Sequence, residues 1–260
     1  MLINVIGKTG SGKSLYQSYI AYTELTKIAR NGKDMPRYWK IPYLSKLFLG
    51  NYYSQYDRIC MNSDFDDGRG NYCRWNFEKK GWDSGGNVLG ISDVPELYDL
   101  MNCLVFLDEA GTYFSNRDWA LMPPRYRLFL TTHRHNSTSH AKRFDIYVFS
   151  QQKDLIEADM ERISTQIYLI RPLFGFALNP TRPRWYNKLP AIKIWIYWKH
   201  EVLQGKPYQE LDVNGRPKAV PMEEQLEALI PYTWLWLGKK YRNCYDSLNL
   251  VRELERTKGK

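Results

Sequence analysis

Short apolar runs recur along the first 172 residues, each bounded by glycine, proline or polar residues. Runs of this length and composition predict buried β-strands. The predicted strands cover residues 2–6, 58–61, 103–107, 145–150 and 166–170. Apolar positions at helical spacing predict a helix over residues 14–30. A second helix is predicted after Pro123 and Pro124, to about residue 135, since proline is accepted in a first helical turn. This alternation of strands and helices indicates an α/β fold, with a mainly parallel central sheet flanked by helices.

Beyond Pro172 the chain becomes richer in basic and aromatic residues, and alternation at residues 192–200 predicts a half-buried strand. Its buried face would carry Ile192, Ile194, Ile196 and Trp198, and its outer face Lys193, Trp195, Tyr197 and Lys199. Short helices are predicted at residues 223–230 and 246–258. We therefore expect a core at residues 1–172, with poorly periodic insertions near 33–57 and 63–86, and a small basic-aromatic C-terminal extension at 173–260.

The net charge of the chain is +9, and it is unevenly distributed. Residues 1–172 contain 22 Lys and Arg against 19 Asp and Glu, whereas residues 173–260 contain 15 against 9. The excess is thus +3 in the core and +6 in the shorter extension. Cations interleaved with aromatic rings favour contact with DNA. The alternative is that these charges only keep an edge strand from aggregating.

A glycine-rich segment directly follows the first predicted strand and precedes the first predicted helix. Residues 7–14, GKTGSGKS, match the pattern G-x-x-x-x-G-K-[ST] in full. In this pattern the backbone and the helix N-terminus bind phosphates, the lysine reaches the β- and γ-phosphates, and the final hydroxyl binds Mg²⁺. The segment is a phosphate-binding loop (P-loop) for ATP. Its predicted nucleotide contacts are Gly7, Lys8, Thr9, Gly10, Ser11, Gly12, Lys13, Ser14 and Leu15.

Two acidic residues, Asp108 and Glu109, follow the wholly apolar strand predicted at residues 103–107. Beside a P-loop, the first acid is expected to hold Mg²⁺ together with Ser14. The second is expected to activate a water molecule for attack on the γ-phosphate. The adjacent glutamate favours an ATP hydrolase over a nucleotide kinase or GTPase, and no guanine-selecting NKxD element is present.

Further catalytic candidates follow the later strands. Gln151 or Gln152, after the strand at residues 145–150, would sense or orient the attacking water. An arginine that stabilises the transition state is a further requirement of many such sites, and a neighbouring subunit supplies it in ring-forming enzymes. Arg134, Arg162 and Arg171 are the candidates for that role.

The cysteines and the longest apolar run bear on where the protein acts. The four cysteines form no CxxC pair, so neither a structural zinc site nor a disulfide framework is predicted, which suits a reducing cytosol. No apolar run approaches the roughly 20 residues that cross a bilayer. The longest, residues 229–237, precedes Lys239, Lys240 and Arg242, and would at most lie against a membrane surface.

Several segments together resemble the zonula occludens toxin (Zot) family and the filamentous-phage gene I assembly proteins. They are GKTGSGKS at 7–14, CLVFLDEAGTYFSNRDW at 103–119, THRH at 132–135 and FDIYVFSQQ at 144–152, followed by Arg162 and Arg171. The aromatic-Asn-Arg-x-Trp element, residues 114–119, is the most distinctive part. Residues 236–241 and 243–246 also look like the end of that family's ATPase domain.

Members of this family are similar to motor ATPases of the FtsK/HerA type, which form rings and drive DNA packaging or extrusion during virus assembly. The resemblance thus implies a P-loop NTPase of the RecA/FtsK-like type, a homo-oligomer such as a hexameric ring, and DNA as a partner. Its functional positions match residues 7–14, Asp108 and Glu109 here. Gln151 fits the spacing from Asp145 and Gln152 the spacing to Arg162, so both stay open.

The expected function is a Mg-dependent ATPase that acts as a motor in phage or virus assembly, by packaging or by extrusion of the genome. The phage assembly proteins carry a transmembrane helix and an outer domain after the ATPase, and neither is expected here. We expect a location in the host cytoplasm, or peripheral to the inner membrane, with a membrane-protein or virion partner. The alternative is an ATP-binding scaffold or regulatory protein that assembles with a membrane partner without continuous turnover.

Overall fold

Strands dominate the described part of the chain. The computed structural model describes residues 1–8, 10–40, 51–109, 124–151, 164–173, 191–198, 210–211, 217–218 and 233–244. The strands are β1 (Leu2–Ile6), β2 (Arg58–Met61), β3 (Phe65–Asp66), β4 (Tyr72–Asn76), β5 (Gly81–Gly85), β6 (Val88–Gly90), β7 (Cys103–Leu107), β8 (Asp145–Ser150), β9 (Gln166–Pro172), β10 (Ala191–Trp198), β11 (Glu210–Leu211), β12 (Pro217–Lys218) and β13 (Thr233–Trp236). The α-helices are α1 (Lys13–Ile28), α2 (Pro124–Thr132) and α3 (Lys239–Arg242), and residues Arg37–Lys40, Val94–Leu97 and His133–His135 form 3-10 helices.

Eight strands form the main sheet, in the order β13-β10-β9-β1-β8-β7-β2-β6. β1 runs parallel to β9, and β2 runs parallel to both β6 and β7. β10 runs antiparallel to β9 and to β13. The predicted α/β fold with a mainly parallel central sheet is therefore confirmed, with antiparallel strands added at one edge. All five strands predicted in the core are present, and the strand predicted at 166–170 continues to Pro172.

The chain divides into two compact units. The first comprises Met1–Lys13, Glu109–Ala120 and Val148–Gly238, and the second comprises Ser14–Asp108, Leu121–Tyr147 and Lys239–Lys260. The first unit contains β1, β9, β10 and β13, and the second contains β2 to β7. Residues of β8 belong to both units.

In the first unit, β1 is a central strand on which the P-loop is built. All five of its residues are buried, and its residues from Ile3 to Ile6 lie in register with Gln166 to Leu169 of β9. β-branched side chains fit such a two-sided buried surface well. The loop that follows β1 therefore starts from a fixed point in the sheet.

The outer strands of the first unit confirm one part of the predicted pattern and correct another. Ile192 and Ile194 of β10 are buried, with 0% and 5% of their surfaces exposed, as the alternation predicts. Ile196 was assigned to the same face but is 40% exposed, so the pattern ends before the strand does. The register explains the change: β13 covers β10 from Ala191 to Ile194 only.

The apolar run at residues 229–237 is partly a strand of the main sheet. Within it, β13 pairs antiparallel with β10, and Leu237 directly after it is fully buried. The side chain of Leu237 therefore lies in the core of the first unit. In the described part of the chain, no helix has the length and apolar character to span a membrane.

In the second unit, β7 lies beside β2 with Met61 opposite Phe106, and every residue of β7 is buried. The helix α1 begins at Lys13, one residue before its predicted start, and ends at Ile28, two residues before its predicted end. The helix predicted from Pro124 is present as α2, but its last turn, from His133, is a 3-10 helix. The helices predicted at 223–230 and 246–258 lie outside the described residues.

Residues 63–86 are not the irregular insertion that their composition predicts. They contain β3, β4 and β5, which form a separate three-stranded antiparallel sheet. Trp75 of β4 and Trp82 of β5 face each other at 5.2 Å between ring centroids, a cross-strand aromatic pair. The small sheet begins with β3 at Phe65, shortly after β2 ends at Met61.

Candidate nucleotide site

The P-loop has the backbone that its glycines predict. Gly10 and Gly12 adopt positive φ angles of 75° and 99°, which glycine adopts at no steric cost. The N–H of Gly7 donates to the carbonyl of Ser150 at the end of β8, at 3.2 Å. A Cβ atom on Gly7 would lie 2.7 Å from the carbonyl oxygen of Ile170, so only glycine fits there.

Lys13 closes over the loop from the first turn of α1. Its Nζ donates to the carbonyl oxygens of Gly7 at 2.5 Å and Lys8 at 3.4 Å. These contacts hold the ammonium group above the loop, where it is only partly buried. A cation in this place is suited to a polyphosphate, as the sequence predicts.

Ser11 provides a test of whether the loop fits a phosphate group. The residue is 3% exposed, and its hydroxyl oxygen has no hydrogen-bond partner among the described residues. A buried hydroxyl without a partner is costly, and a phosphate oxygen accepts such a donor. Together with the left-handed glycines and Lys13, this hydroxyl makes the loop a suitable binding site for the phosphates of ATP.

Glu109 and Gln151 are brought together in the first unit. The Nε2 of Gln151 donates to Oε1 of Glu109 at 3.1 Å, although the two residues are 42 positions apart. Glu109 is exposed and has a φ angle of 50°, which costs a residue with a Cβ atom about 1–2 kcal/mol. Backbone strain of this kind is concentrated at functional sites. The structure therefore brings Gln151 together with Glu109, and the catalytic roles of both stay predictions.

Asp108 is held in the second unit by a residue that the sequence analysis did not identify. Its backbone N–H donates to Oδ1 of Asn62 at 2.7 Å, and its carbonyl accepts from Nδ2 of Asn62 at 2.9 Å. Asn62 directly follows β2, the strand paired with β7. A polar residue at the carboxyl end of a parallel strand is the signal by which it could have been found.

Ser14 lies in the first turn of α1. This helix is joined by a hydrogen bond to the loop after β2. Gln17, one turn further along, donates from Nε2 to Oγ of Ser63 at 2.7 Å. Both residues are buried, with 3% and 8% of their surfaces exposed. The hydroxyl of Ser14 and the carboxylate of Asp108 are hard oxygen donors, the type that Mg²⁺ prefers. The residues present thus fit the ion.

The remaining predicted site residues are placed as follows. Lys8 is exposed, and Leu15 and Arg171 are half-buried. Thr9, Gln152 and Arg162 lie outside the described residues, as does the side chain of Arg134. The structure therefore places Gln151 beside Glu109 without testing its neighbour Gln152.

No family model and no curated protein sequence matches the chain, but several solved structures are similar to it. It is similar to the N-terminal domain of zonular occludens toxin from Neisseria meningitidis, at 15% identity and a TM-score of 0.48, over 94% of this chain and 98% of that one. It is also similar to the genome packaging NTPase B204 from Sulfolobus turreted icosahedral virus 2. The complex of B204 with ATP-gammaS aligns at 14% identity and a TM-score of 0.37, over 65% of this chain and 72% of that one. The complex of B204 with AMPPCP aligns at 12% identity and a TM-score of 0.36, over 75% of this chain and 91% of that one.

The Zot family that the sequence segments resemble is thus also found among the similar solved structures. B204 is a packaging NTPase whose structures hold ATP analogues. At these identities and TM-scores the alignments assign no role to any residue here. The roles of Lys13, Asp108, Glu109 and Gln151 stay predictions from the sequence.

Proposed function

We propose that this chain is a Mg-dependent ATPase that acts as a motor in phage or virus assembly. The observation that carries the proposal is the hydrogen bond from Gln151 to Glu109, formed in the same unit as the P-loop lysine, Lys13. A carboxylate oriented at the end of a strand, together with a phosphate-binding loop, is the arrangement expected of an ATP hydrolase that uses Mg²⁺.

Binding of ATP falls to the P-loop, with Gly7, Lys8, Thr9, Gly10, Ser11, Gly12, Lys13, Ser14 and Leu15 as contacts. The ammonium group of Lys13 lies over the carbonyls of the loop, so its charge is available to the β- and γ-phosphates. Ser14 and Asp108 would hold Mg²⁺, which neutralises charge on the phosphate oxygens when bound.

The hydrolytic step transfers the γ-phosphoryl group of ATP to water. Glu109 accepts a proton from the water as its oxygen attacks phosphorus, and the bond to the bridging oxygen of ADP breaks. Gln151 holds Oε1 of Glu109 and so fixes the direction from which the carboxylate meets the water. Inorganic phosphate and ADP leave. Gln152 and an arginine, Arg162 first among the candidates, complete the proposed set.

The role in assembly rests on the resemblance of residues 103–119 to the Zot family. We expect DNA as the substrate that is moved, in a packaging or an extrusion step, and a hexameric ring as the working form. The basic extension, residues 173–260, is the proposed contact with DNA or with a membrane or virion partner, and residues 1–172 are the proposed ATPase domain. The expected location is the host cytoplasm, at or near the inner membrane.

The deciding experiment is the ATPase rate of the purified chain with Mg²⁺, alone and with single- or double-stranded DNA. A motor hydrolyses ATP continuously and faster when its DNA is present. Stoichiometric ATP binding without turnover, unchanged by either DNA, would contradict the motor and favour an ATP-binding scaffold.

A further inference from the structure

The side chain of Asn62 bonds to the backbone of Asp108. Its side-chain amide meets both backbone polar groups of Asp108, as acceptor for the N–H at 2.7 Å and as donor to the carbonyl at 2.9 Å. Asparagine offers an acceptor and a donor on one planar group, whereas ionised aspartate offers only acceptors. The two bonds together hold the peptide groups on both sides of Asp108.

This pair of bonds extends the β-sheet beyond the last strand residues. β2 and β7 pair in parallel up to Met61 and Phe106. After that point the side chain of Asn62 takes the place of a backbone partner for Asp108. Without such a partner, a residue at the end of a strand would present its N–H and carbonyl to solvent. The direction of its side chain would then be less fixed.

The same loop is tied to the helix that carries Ser14. Ser63, the residue after Asn62, accepts a hydrogen bond from Gln17 at 2.7 Å, and Gln17 lies one turn after Ser14 on α1. Asn62 therefore bonds to the backbone of Asp108, and Ser63 bonds to the helix that carries Ser14. All of these residues belong to the second unit.

We infer that Asn62 is a positioning residue for Asp108, and that it sets the affinity of the ATP site for Mg²⁺. It acts through the backbone of Asp108. The inference rests on the proposed ATPase function, because it takes Asp108 and Ser14 as the oxygen donors for the ion. Residues that orient metal ligands in this way typically contribute about 10- to 100-fold to metal affinity.

The test separates metal binding from nucleotide binding. A fluorescent, non-hydrolysable ATP analogue is titrated into the full chain in EDTA and then over a series of Mg²⁺ concentrations. For Asn62→Ala we expect the affinity in EDTA to stay within about twofold of the wild type, because the P-loop is intact. The Mg²⁺ concentration for half-maximal effect should rise about tenfold or more. Mn²⁺ binding followed by electron paramagnetic resonance should weaken in parallel.

A matched control is Asn76→Ala, at the end of β4. Asn76 also uses its side chain on backbone, accepting from the N–H groups of Glu78 and Lys79 at 3.0 and 3.1 Å. Its removal should lower thermal stability without changing the Mg²⁺ requirement. An unchanged Mg²⁺ requirement in Asn62→Ala, or an equal change in both variants, would overturn the inference.

A second variant covers the case in which Asn62→Ala also loses binding in EDTA. Asn62→Asp keeps the shape and the acceptor for the N–H of Asp108 but lacks the donor to its carbonyl. We expect wild-type affinity in EDTA and a Mg²⁺ requirement between those of the wild type and the alanine variant. Loss of binding in EDTA here as well would assign Asn62 to general folding instead. If the wild-type chain binds no analogue, or binds it equally well with and without Mg²⁺, the proposed function itself is refuted, and the inference about Asn62 with it.

Discussion

At the scale of single residues, Lys13 brings the cation that the P-loop needs for its ligand. Replacing it in Lys13→Ala should abolish ATP binding, because the loop then has no ammonium group held over its carbonyls. Equilibrium titration with a labelled ATP analogue measures this. Lys27→Ala, which removes a lysine on the same helix that pairs with Glu24 at 2.6 Å, is the control and should bind normally. Retained affinity in Lys13→Ala would refute the assignment of the loop.

Glu109 is the residue on which turnover should depend. Glu109→Gln keeps the side-chain oxygen that accepts from Gln151, so ATP binding should be preserved. The amide cannot accept a proton from water, and turnover should fall by at least about 100-fold. Steady-state phosphate release gives the rate. Glu96→Gln, the same change at an exposed position outside the site, should have no effect.

The sequence predicts the P-loop and the paired acids from their spacing and from the strands and helix beside them. It does not predict Asn62. Asparagine after a strand is common, and its bonds to Asp108 span 46 positions and depend on the register of β2 with β7. The choice of Gln151 as the partner of Glu109 likewise needs the structure, since spacing left two glutamines open.

At the scale of elements, the start of β8 depends on a buried contact. The hydroxyl of Tyr56 donates to Oδ2 of Asp145 at 2.6 Å, and Asp145 is 3% exposed. Tyr56→Phe removes this bond from a buried carboxylate, and it should lower the free energy of unfolding by about 1.5–3 kcal/mol. Urea unfolding measures the loss. Tyr126→Phe removes a hydroxyl that bonds to Asp93 at the surface, and it should cost much less.

The same contact predicts the behaviour of the protein at alkaline pH. Burial, and then the charge of Asp145, raises the pKa of the Tyr56 hydroxyl far above its usual value near 10. The unfolded chain therefore releases this proton at a lower pH than the folded chain does. Stability from Tyr56 is complete below about pH 10 and falls as the pH rises further. The free energy of unfolding should decline less steeply above pH 10 in Tyr56→Phe than in the wild type.

Elements with regular hydrophobic patterns are predicted within a residue or two, as β1, β7 and β8 show. The small sheet of β3, β4 and β5 is missed because its strands carry no such pattern. β5, with the sequence GWDSG, is rich in glycine and polar residues, and none of its residues is fully buried. The Trp75–Trp82 pair across these strands holds them together, and this pairing is tertiary information.

At the scale of the whole molecule, we expect a homo-oligomer, most simply a hexamer. Within the predicted P-loop and the paired acids there is no arginine, so an arginine from a neighbouring subunit would complete the site. Sedimentation analysis with an ATP analogue and DNA measures the mass of the complex. A chain that stays monomeric under these conditions and still hydrolyses ATP at a high rate would contradict the ring.

DNA binding should depend on the cations of the extension. Lys193 is half-buried on β10, and Lys199, just outside the described residues, is predicted to share its face. Replacing both with Gln should weaken DNA binding and reduce the slope of log K against log salt by up to about 1.8, that of two phosphate contacts. ATP affinity should not change. The double variant Lys79→Gln with Lys80→Gln, in the exposed turn before β5, is a control of equal charge, and an equal effect there would assign the slope to net charge alone.

The position of β13 in the sheet also determines the order in which the protein can be completed during synthesis. β10 ends at Trp198, and its partner β13 begins only at Thr233. At about 5–20 residues per second, a ribosome needs roughly 2–7 seconds to make the intervening stretch. During that interval β10 offers an unpaired edge, the kind of surface on which chains aggregate. We therefore expect neighbouring nascent chains on one messenger RNA to be prone to aggregate through β10 until β13 has been made.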